Sequence, residues 1–242
     1  MQADPPPSSP TAAFLAGVRA ACQSVMAYVL IGTYIGITAL AHDFGFSMWW
    51  VMASTMLVWA GPAQVILVSS LGVGAAPLEV ALAVCLSSAR LLPMVMSLLP
   101  MVRQPDTPTR KLLLPAHLTA VSMWIECQRL LPAVPRHNRI AFANGLGAAF
   151  MVAAHLGTVI GFYLASSLPP LLTAGMLFIT PVSFLISTTR NCRLLMDWLA
   201  LALGLAVGPL LAWQQVGLDI LWTGLGAGTA AYAVHRLRAA LK

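Results

Sequence analysis

Arg90 lies near the middle of an apolar stretch, residues 80–102, that is long enough to cross a lipid bilayer and contains no acidic residue. A guanidinium at the centre of a bilayer is unfavourable by between about 2.5 and about 17 kcal/mol, depending on the method. The nearest interface is about 15 Å away, which is further than the side chain reaches. We therefore expect Arg90 to face a protein interior or an aqueous cavity. This pattern indicates a protein that handles an anionic or zwitterionic solute within the membrane.

A second element that could bind a solute is residues 59–64, whose sequence is WAGPAQ. Pro62 removes one helical hydrogen bond, Gly61 adds backbone freedom, and Gln64 brings an amide into an apolar segment. Together they predict a helix that is broken at membrane depth, where freed N–H and C=O groups can bind a solute. A simple proline kink, with Gln64 bonded to a neighbouring helix, is equally open. The predicted substrate-binding residues are Arg90, Gln64, Gly61, Pro62, Ser88 and Ser54.

Two other side chains are weaker candidates for carrying a proton. His155 lies in the apolar stretch 141–165, where a histidine is a candidate proton carrier, although a neutral imidazole bonded across helices is the simpler interpretation. Glu126 lies in the least hydrophobic stretch, 112–131, and could instead fold inward to pair with Arg90. We find no paired carboxylates, activated nucleophile, metal-ligand cluster or phosphate loop. The sequence therefore predicts no enzyme, no catalytic residue, no metal and no cofactor.

The elements that position these residues are predicted to be membrane helices. The chain has 242 residues, of which 59% are hydrophobic and only 8% are charged, whereas a soluble domain has about 25% charged residues. We predict an all-α polytopic bundle of about seven spans, at least one of them broken or re-entrant, in a single transmembrane domain (13–242) after a disordered tail (1–12). The predicted spans are 13–40, 48–71, 79–102, 141–165, 170–189, 196–213 and 217–235.

The positions of the basic residues predict the topology. The weak stretch 112–131 has basic clusters on both sides, and only an interfacial or re-entrant helix leaves both clusters in the cytoplasm. Later arginines predict a cytoplasmic C-terminus. Counting back through full spans gives an outside N-terminus, whereas an inside N-terminus requires one early segment to be re-entrant. The net charge of +6 is explained by these loops, so no nucleic-acid partner is expected.

Four glycine pairs with three intervening residues predict places where helix backbones approach closely. They are Gly32/Gly36, Gly157/Gly161, Gly204/Gly208 and Gly224/Gly228. Close packing is a simpler interpretation of these pairs than a hinge.

At the same residues, the chain resembles the AzlC-type family, the large subunit of bacterial branched-chain amino acid exporters. Residues 59–64 are similar to that family's F-A-G-A-x-Q element, and residues 88–91 (SARL) are similar to its N-x-R element. The resemblance covers most of the chain. Two departures are that Ser88 and Ala89 stand where asparagine is usual, and that residues 119–122 replace an acidic pair.

The resemblance implies export of branched-chain or similar hydrophobic amino acids from the cytoplasm across the bacterial inner membrane. It also implies a small, separately encoded membrane subunit of the AzlD type as partner. On this hypothesis Arg90 meets the substrate carboxylate. A channel, or a membrane scaffold subunit that does not transport, is the alternative, and there Arg90 has a purely structural role.

Overall fold

The computed structural model describes residues 9–167, 194–214 and 219–240, with residues 169, 171, 172, 174, 175, 178, 182, 185, 186, 189 and 192 between them. Within these residues every regular element is helical, so the predicted all-α membrane bundle with a broken helix is confirmed. The chain divides into two compact units, Met1–Thr180 and Pro181–Lys242. Predictions for residues 1–8, for most of 170–189, and for the arginines Arg190 and Arg193 fall outside the described residues.

The described part of the first unit has nine α-helices. They are α1 (Pro10–Gln23), α2 (Val25–Asp43), α3 (Met48–Val58), α4 (Gly61–Gly72), α5 (Pro77–Ser88), α6 (Leu91–Val102), α7 (Arg110–Leu118), α8 (Val121–Leu130) and α9 (Arg139–Leu164). In the second unit, α10 (Leu195–Trp213) packs against α11 (Asp219–Ala240). Among the residues described, three segments are long and apolar enough to span a membrane alone: Val25–Asp43, Arg136–Leu164 and Leu195–Trp213.

Helices α1, α2 and α9 form a parallel scaffold. Gly145 lies against the backbone of Phe14 near the start of the scaffold, and Gly161 lies against that of Ile35 further along. Because the residue numbers of the two partners rise together, the chains run in the same direction. Gly157/Gly161 pack as predicted, since a Cβ at either position would overlap the backbone of α2.

The start of the scaffold differs from the prediction in two ways. The hydroxyl of Ser9 accepts a hydrogen bond from the Ala12 amide at 3.1 Å and caps α1. Helix therefore begins at Pro10, inside the predicted tail 1–12. The predicted span 13–40 is interrupted at Ser24, whose extended backbone (ψ 137°) separates α1 from α2.

Helices α3 and α4 form a first hairpin whose two ends lie together beside the end of α2. The ring of Phe46 stacks on Trp50 at the start of α3, with centroids 4.2 Å apart. Gly72, at the end of α4, packs against the ring of Phe44. The segment thus enters and leaves at the end of the unit where α2 finishes. We call this the opposite end, because the loops that carry the basic residues lie at the other end. The predicted break is present, but the prediction that 48–71 crosses the membrane is wrong.

The first hairpin turns at Trp59 and Ala60, beside the middle of α2. The ring of Trp59 stacks on Tyr34 with centroids 6.3 Å apart. Trp59 has a left-handed backbone (φ 40°), which ends α3, and Pro62 has no N–H with which to continue the helix. These two local features reverse the chain before it can cross.

Helices α7 and α8 form a second hairpin, which opens at the other end of the unit. Gln104 Nε2 donates to the carbonyl of Arg136 at 3.2 Å, so the loops before and after the hairpin lie together. We call this the basic end, because it carries the basic residues of loops 103–111 and 136–139. The structure therefore agrees with the re-entrant alternative predicted for 112–131.

The position of α1 selects between the two predicted topologies. Pro10 lines the same cleft as Arg110 and His137, so α1 begins at the basic end. If that end is cytoplasmic, as the positive-inside rule indicates, residue 10 is cytoplasmic too. This agrees with the alternative of an inside N-terminus and an early re-entrant segment, here 48–72, and not with an outside N-terminus.

Helices α5 and α6 run from the opposite end to the basic end and bend by 46° at Ala89 and Arg90. Pro93 contributes to the bend because it has no N–H to donate to the Ala89 carbonyl four residues earlier. At its far end, α6 is held to α9 by Arg139, whose guanidinium donates to the Met101 carbonyl at 3.0 Å. The predicted span 79–102 is therefore present as a bent pair.

Candidate functional site at the meeting of two hairpins

The first hairpin is closed across its break by the amide of Gln64. This side chain is completely buried. Its Nε2 donates to Ser54 Oγ at 2.9 Å and to Thr55 Oγ1 at 2.8 Å, which joins α4 to α3. The predicted site residues Gln64 and Ser54 are thus in contact, and Gly61 and Pro62 form the first turn of the same helix.

The second hairpin turns at Thr119 and Ala120, between α7 and α8. Thr119 ends α7, and its hydroxyl donates to the Pro115 carbonyl at 2.6 Å, one turn earlier. Helix α8 then begins after Ala120, and the chain packs against Gly147 through Leu118 and Met123.

The tips of the two hairpins are hydrogen-bonded to each other. Trp59 Nε1 donates to the Leu118 carbonyl at 2.9 Å. His117 Nε2 lies 3.0 Å from the Met56 carbonyl. Each of these carbonyls lies in the last turn of a helix, α7 or α3, where no N–H of the same helix can reach it. In both pairs it is contacted by a side chain of the other hairpin. Two breaks that are about sixty residues apart in sequence therefore meet in space.

Both second helices begin without a side-chain cap. The side chains of Ala60 before α4 and Ala120 before α8 have no group that can accept a hydrogen bond from the N–H groups of the first turn. The exposed N–H groups of a helix start carry a partial positive charge equivalent to about half a unit. Two such starts inside a bundle favour an anionic group such as a carboxylate.

Buried oxygen atoms without a partner lie in the first turn or so of both helices. In the described residues, Gln64 Oε1 and Ser122 Oγ are buried and accept no hydrogen bond. Leaving such an atom unsatisfied costs about 1–3 kcal/mol, so a bound ligand or water is expected there. N–H donors can bind a carboxylate, and free acceptor oxygens can bind an ammonium group. Together they can bind the two charged groups on the α-carbon of an amino acid.

Arg90 does not lie where the sequence analysis expected it. Its side chain is exposed on this chain, whereas Ser87 beside it is buried and Ser88 is half-buried. Among the described residues, no hydrogen bond or ion pair joins Arg90 or Ser88 to the hairpin tips. The first alternative of the expectation, that Arg90 faces a protein interior, is not met within this chain, and the second, an aqueous cavity, stays a prediction.

Glu126 has partners other than Arg90. Its Oε1 accepts from Ser24 Oγ at 2.6 Å, and its Oε2 accepts from Arg129 Nε at 3.0 Å. The predicted alternative of a Glu126–Arg90 pair is therefore not formed. Glu126 instead attaches α8 to the break between α1 and α2.

The described contact of the His155 ring lies within its own helix, whereas the simpler interpretation predicted a bond across helices. Its Nδ1 lies 2.8 Å from the Met151 carbonyl, one turn earlier on α9. A ring nitrogen bonded within its own helix is a structural contact. No group of three or more metal-binding side chains occurs in the part of the chain that the structure describes.

Sequence analysis missed Trp59 and His117 as the residues that join the two hairpins. Trp59 immediately precedes the glycine and proline of the break, and this position was an available signal. His117 was noticeable only as a polar residue in a weakly apolar stretch. Its contact with the Met56 carbonyl links residues 61 positions apart, and nothing local predicts it.

Discontinuous helices that meet inside a bundle define a class of membrane protein that binds small solutes at the breaks. The model of the AzlC protein family matches residues 24–168, which include both hairpins and the bent pair. The chain therefore belongs to the AzlC protein family, a family of membrane transporters. No curated protein and no solved structure matches the chain.

Proposed function

We propose that this chain is the large subunit of a secondary transporter that exports branched-chain or similar hydrophobic amino acids from the cytoplasm. In the proposal it works in the bacterial inner membrane, with its C-terminus in the cytoplasm and a small AzlD-type membrane subunit as partner. The observation that carries the proposal is the meeting of two uncapped helix starts with unpartnered buried oxygens at the hairpin tips.

In this proposal the substrate head group lies between the tips. Its carboxylate accepts hydrogen bonds from the first N–H groups of α4 and α8, and its ammonium donates to Gln64 Oε1 and Ser122 Oγ. Gly61 allows close approach because it has no side chain. Pro62 fixes the start of α4 without removing an N–H that the helix needs.

The apolar side chain of the substrate has apolar neighbours at the same place. A Cβ built on Gly61 would lie 3.7 Å from Thr33 Cγ2 and 3.9 Å from Ile37 Cδ1, which is ordinary van der Waals contact. Trp59 and Tyr34 are both buried beside it. A branched aliphatic side chain is favoured over a polar one in such surroundings, by roughly 0.8 kcal/mol for each buried CH₂ group.

Arg90 enters the proposal through the partner. An exposed guanidinium in the middle of a crossing segment is unfavourable in lipid. We propose that the small subunit covers α5 and α6, so that Arg90 meets the substrate carboxylate or an acidic group of the partner. Ala89 at the bend is exposed beside Arg90, and Ser88 is half-buried. His155 and Glu126 remain candidates for proton coupling only as weaker proposals, since each already has a structural contact.

The test is efflux of radiolabelled leucine from proteoliposomes that contain the chain and its small partner. We expect saturable efflux that unlabelled isoleucine or valine competes, and a loss of at least about tenfold in Gln64→Leu. Gln23→Leu is the matched control, because Gln23 is exposed in α1. Efflux that does not saturate favours the channel. Absence of efflux from a complex that still assembles with the small partner favours the scaffold subunit.

The role of Arg90 separates the same alternatives. If it binds the substrate, Arg90→Ala weakens leucine binding to the assembled complex, and Arg90→Lys retains part of it. If Arg90 is purely structural, Arg90→Lys reduces the yield of folded complex more than the flux, since lysine lacks the planar fork of arginine.

A further inference from the structure

A cleft of about 610 Å³ lies at the basic end of the first unit. Its wall is formed by the start of α1, the loop 104–109, the first turns of α7 and the first turns of α9. This volume is typical of sites for small molecules. The lining residues that matter here are Asp106, Arg110, Lys111, Leu114, His137 and Asn144.

One side of the cleft favours an anionic group. Arg110 and Lys111 occupy the first turn of α7, and Thr109 before them provides no side-chain cap. Basic residues at a helix start add to the positive end of the helix dipole instead of compensating it, which is unfavourable until an anion is bound.

The other side of the cleft favours a hydrogen-bond donor. Asn144 Oδ1 is a buried atom with no partner among the described groups, and it belongs to a lining residue. Asp106, in the loop 104–109, adds a carboxylate to the lining of the cleft. A simple anion would satisfy the basic side and leave these acceptors unused, whereas a zwitterion with an ammonium group satisfies both.

The floor of the cleft is adjacent to the hairpin tips. Leu114 lies one helical turn before Leu118, whose carbonyl binds Trp59. Asn144 lies about one turn before Gly147, against which Leu118 and Met123 pack. Along α7, the lining residue Leu114 is thus about one helical turn, or about 5 Å, from the residue whose carbonyl binds Trp59.

We propose that this cleft is a second amino-acid site, in which the substrate is held at the basic end before it reaches the hairpin tips. In this site the substrate carboxylate contacts Arg110 and Lys111, and its ammonium contacts Asn144 Oδ1 and Asp106. The proposal rests on the proposed function, because it takes the transported amino acid as the ligand. It adds a binding step that the tips alone do not provide.

The test compares two variants of the cleft, Arg110→Gln/Lys111→Gln and Asn144→Leu, with Arg103→Gln, a basic residue of the same end that does not line the cleft. Leucine uptake into inside-out vesicles presents substrate to the basic end. We expect the half-saturating leucine concentration to rise roughly tenfold in both cleft variants, with an unchanged maximal rate and no change in Arg103→Gln. Gln64→Leu, by contrast, lowers the maximal rate.

Leucine binding to the purified chain, measured by equilibrium dialysis, distinguishes failure of the cleft from failure of transport. Wild-type protein that transports leucine with the same half-saturation as both cleft variants overturns the cleft proposal and leaves the proposed function intact. If the wild-type protein does not transport leucine, the proposed function is overturned. The cleft proposal is then overturned too, unless dialysis detects leucine binding that the cleft variants weaken. Displacement of bound leucine by millimolar inorganic phosphate but not by alanine identifies an anion or lipid head-group site and overturns the proposal.

Discussion

The scaffold of α1, α2 and α9 and the two hairpins are held together by different interactions. The scaffold helices approach through glycine, with Gly145, Gly157 and Gly161 directly against backbone atoms of the partner helices. The first hairpin is closed by hydrogen bonds of Gln64, and the two hairpin tips are joined by those of Trp59 and His117. Close packing of small residues is the main source of stability between membrane helices, whereas a broken helix is tolerated where it lines a cavity. The comparison suggests that stability resides mainly in the scaffold and solute binding in the hairpins.

The largest effect on stability is expected in the scaffold. In Gly145→Ala the new Cβ overlaps the backbone of Phe14, which cannot move without separating α1 from α9. Overpacking of this kind typically costs about 1–3 kcal/mol or more. We expect a lower thermal midpoint in detergent and a poor yield of monodisperse protein. Gly224→Ala in α11 is the control, since a Cβ there meets nothing within 4 Å. Equal stability of the two variants would show that the scaffold is not held by close packing.

The second prediction is that Gln64→Leu, in the first hairpin, affects transport more than stability. Gln64→Leu removes the bonds to Ser54 and Thr55, but both hydroxyls keep their own bonds to the Val51 carbonyl. We therefore expect a loss of only about 1 kcal/mol in stability, together with the loss of transport described above. Thermal unfolding and leucine efflux on the same preparation measure both effects. A stability loss as large as that of Gly145→Ala would remove the distinction between scaffold and hairpins.

The third prediction concerns the bond between the two tips. Trp59→Phe keeps a ring beside Tyr34 and removes only the donor to the Leu118 carbonyl. The expected loss is about 0.5–1.5 kcal/mol. It is expected to appear as faster amide hydrogen exchange in residues 112–124, measured by mass spectrometry. Trp124→Phe is the control, because it removes a similar bond, to Ser97 Oγ at 2.9 Å, at an exposed position. Unchanged exchange in Trp59→Phe would mean that the tips are not coupled.

Local chemistry explains which parts of this fold were predictable. The break at Gly61 and Pro62 follows from backbone rules, and the re-entrant segment 112–131 follows from basic residues on both of its flanks. The hairpin 48–72 was not predictable in the same way. Its flanks carry no basic residue, and an apolar hairpin has the same hydropathy as an apolar span. The exposure of Arg90 depends on what packs against α5 and α6, which no local pattern encodes.

The smallest expected effect is that of removing Arg129, the exposed ion-pair partner of Glu126. Its side chain is 9% exposed, whereas that of its partner Arg129 is 64% exposed. An exposed ion-pair partner contributes little, so Arg129→Met should change stability by less than about 1 kcal/mol. Ser24→Ala should have the larger effect, because it removes a buried hydrogen bond to a charged oxygen, worth about 1.5–3 kcal/mol. Thermal midpoints of the two variants decide the order. If Arg129→Met were the more damaging, the ion pair within α8 would outweigh the Ser24 bond, and stability would fall at high salt; the Ser24 bond is insensitive to salt.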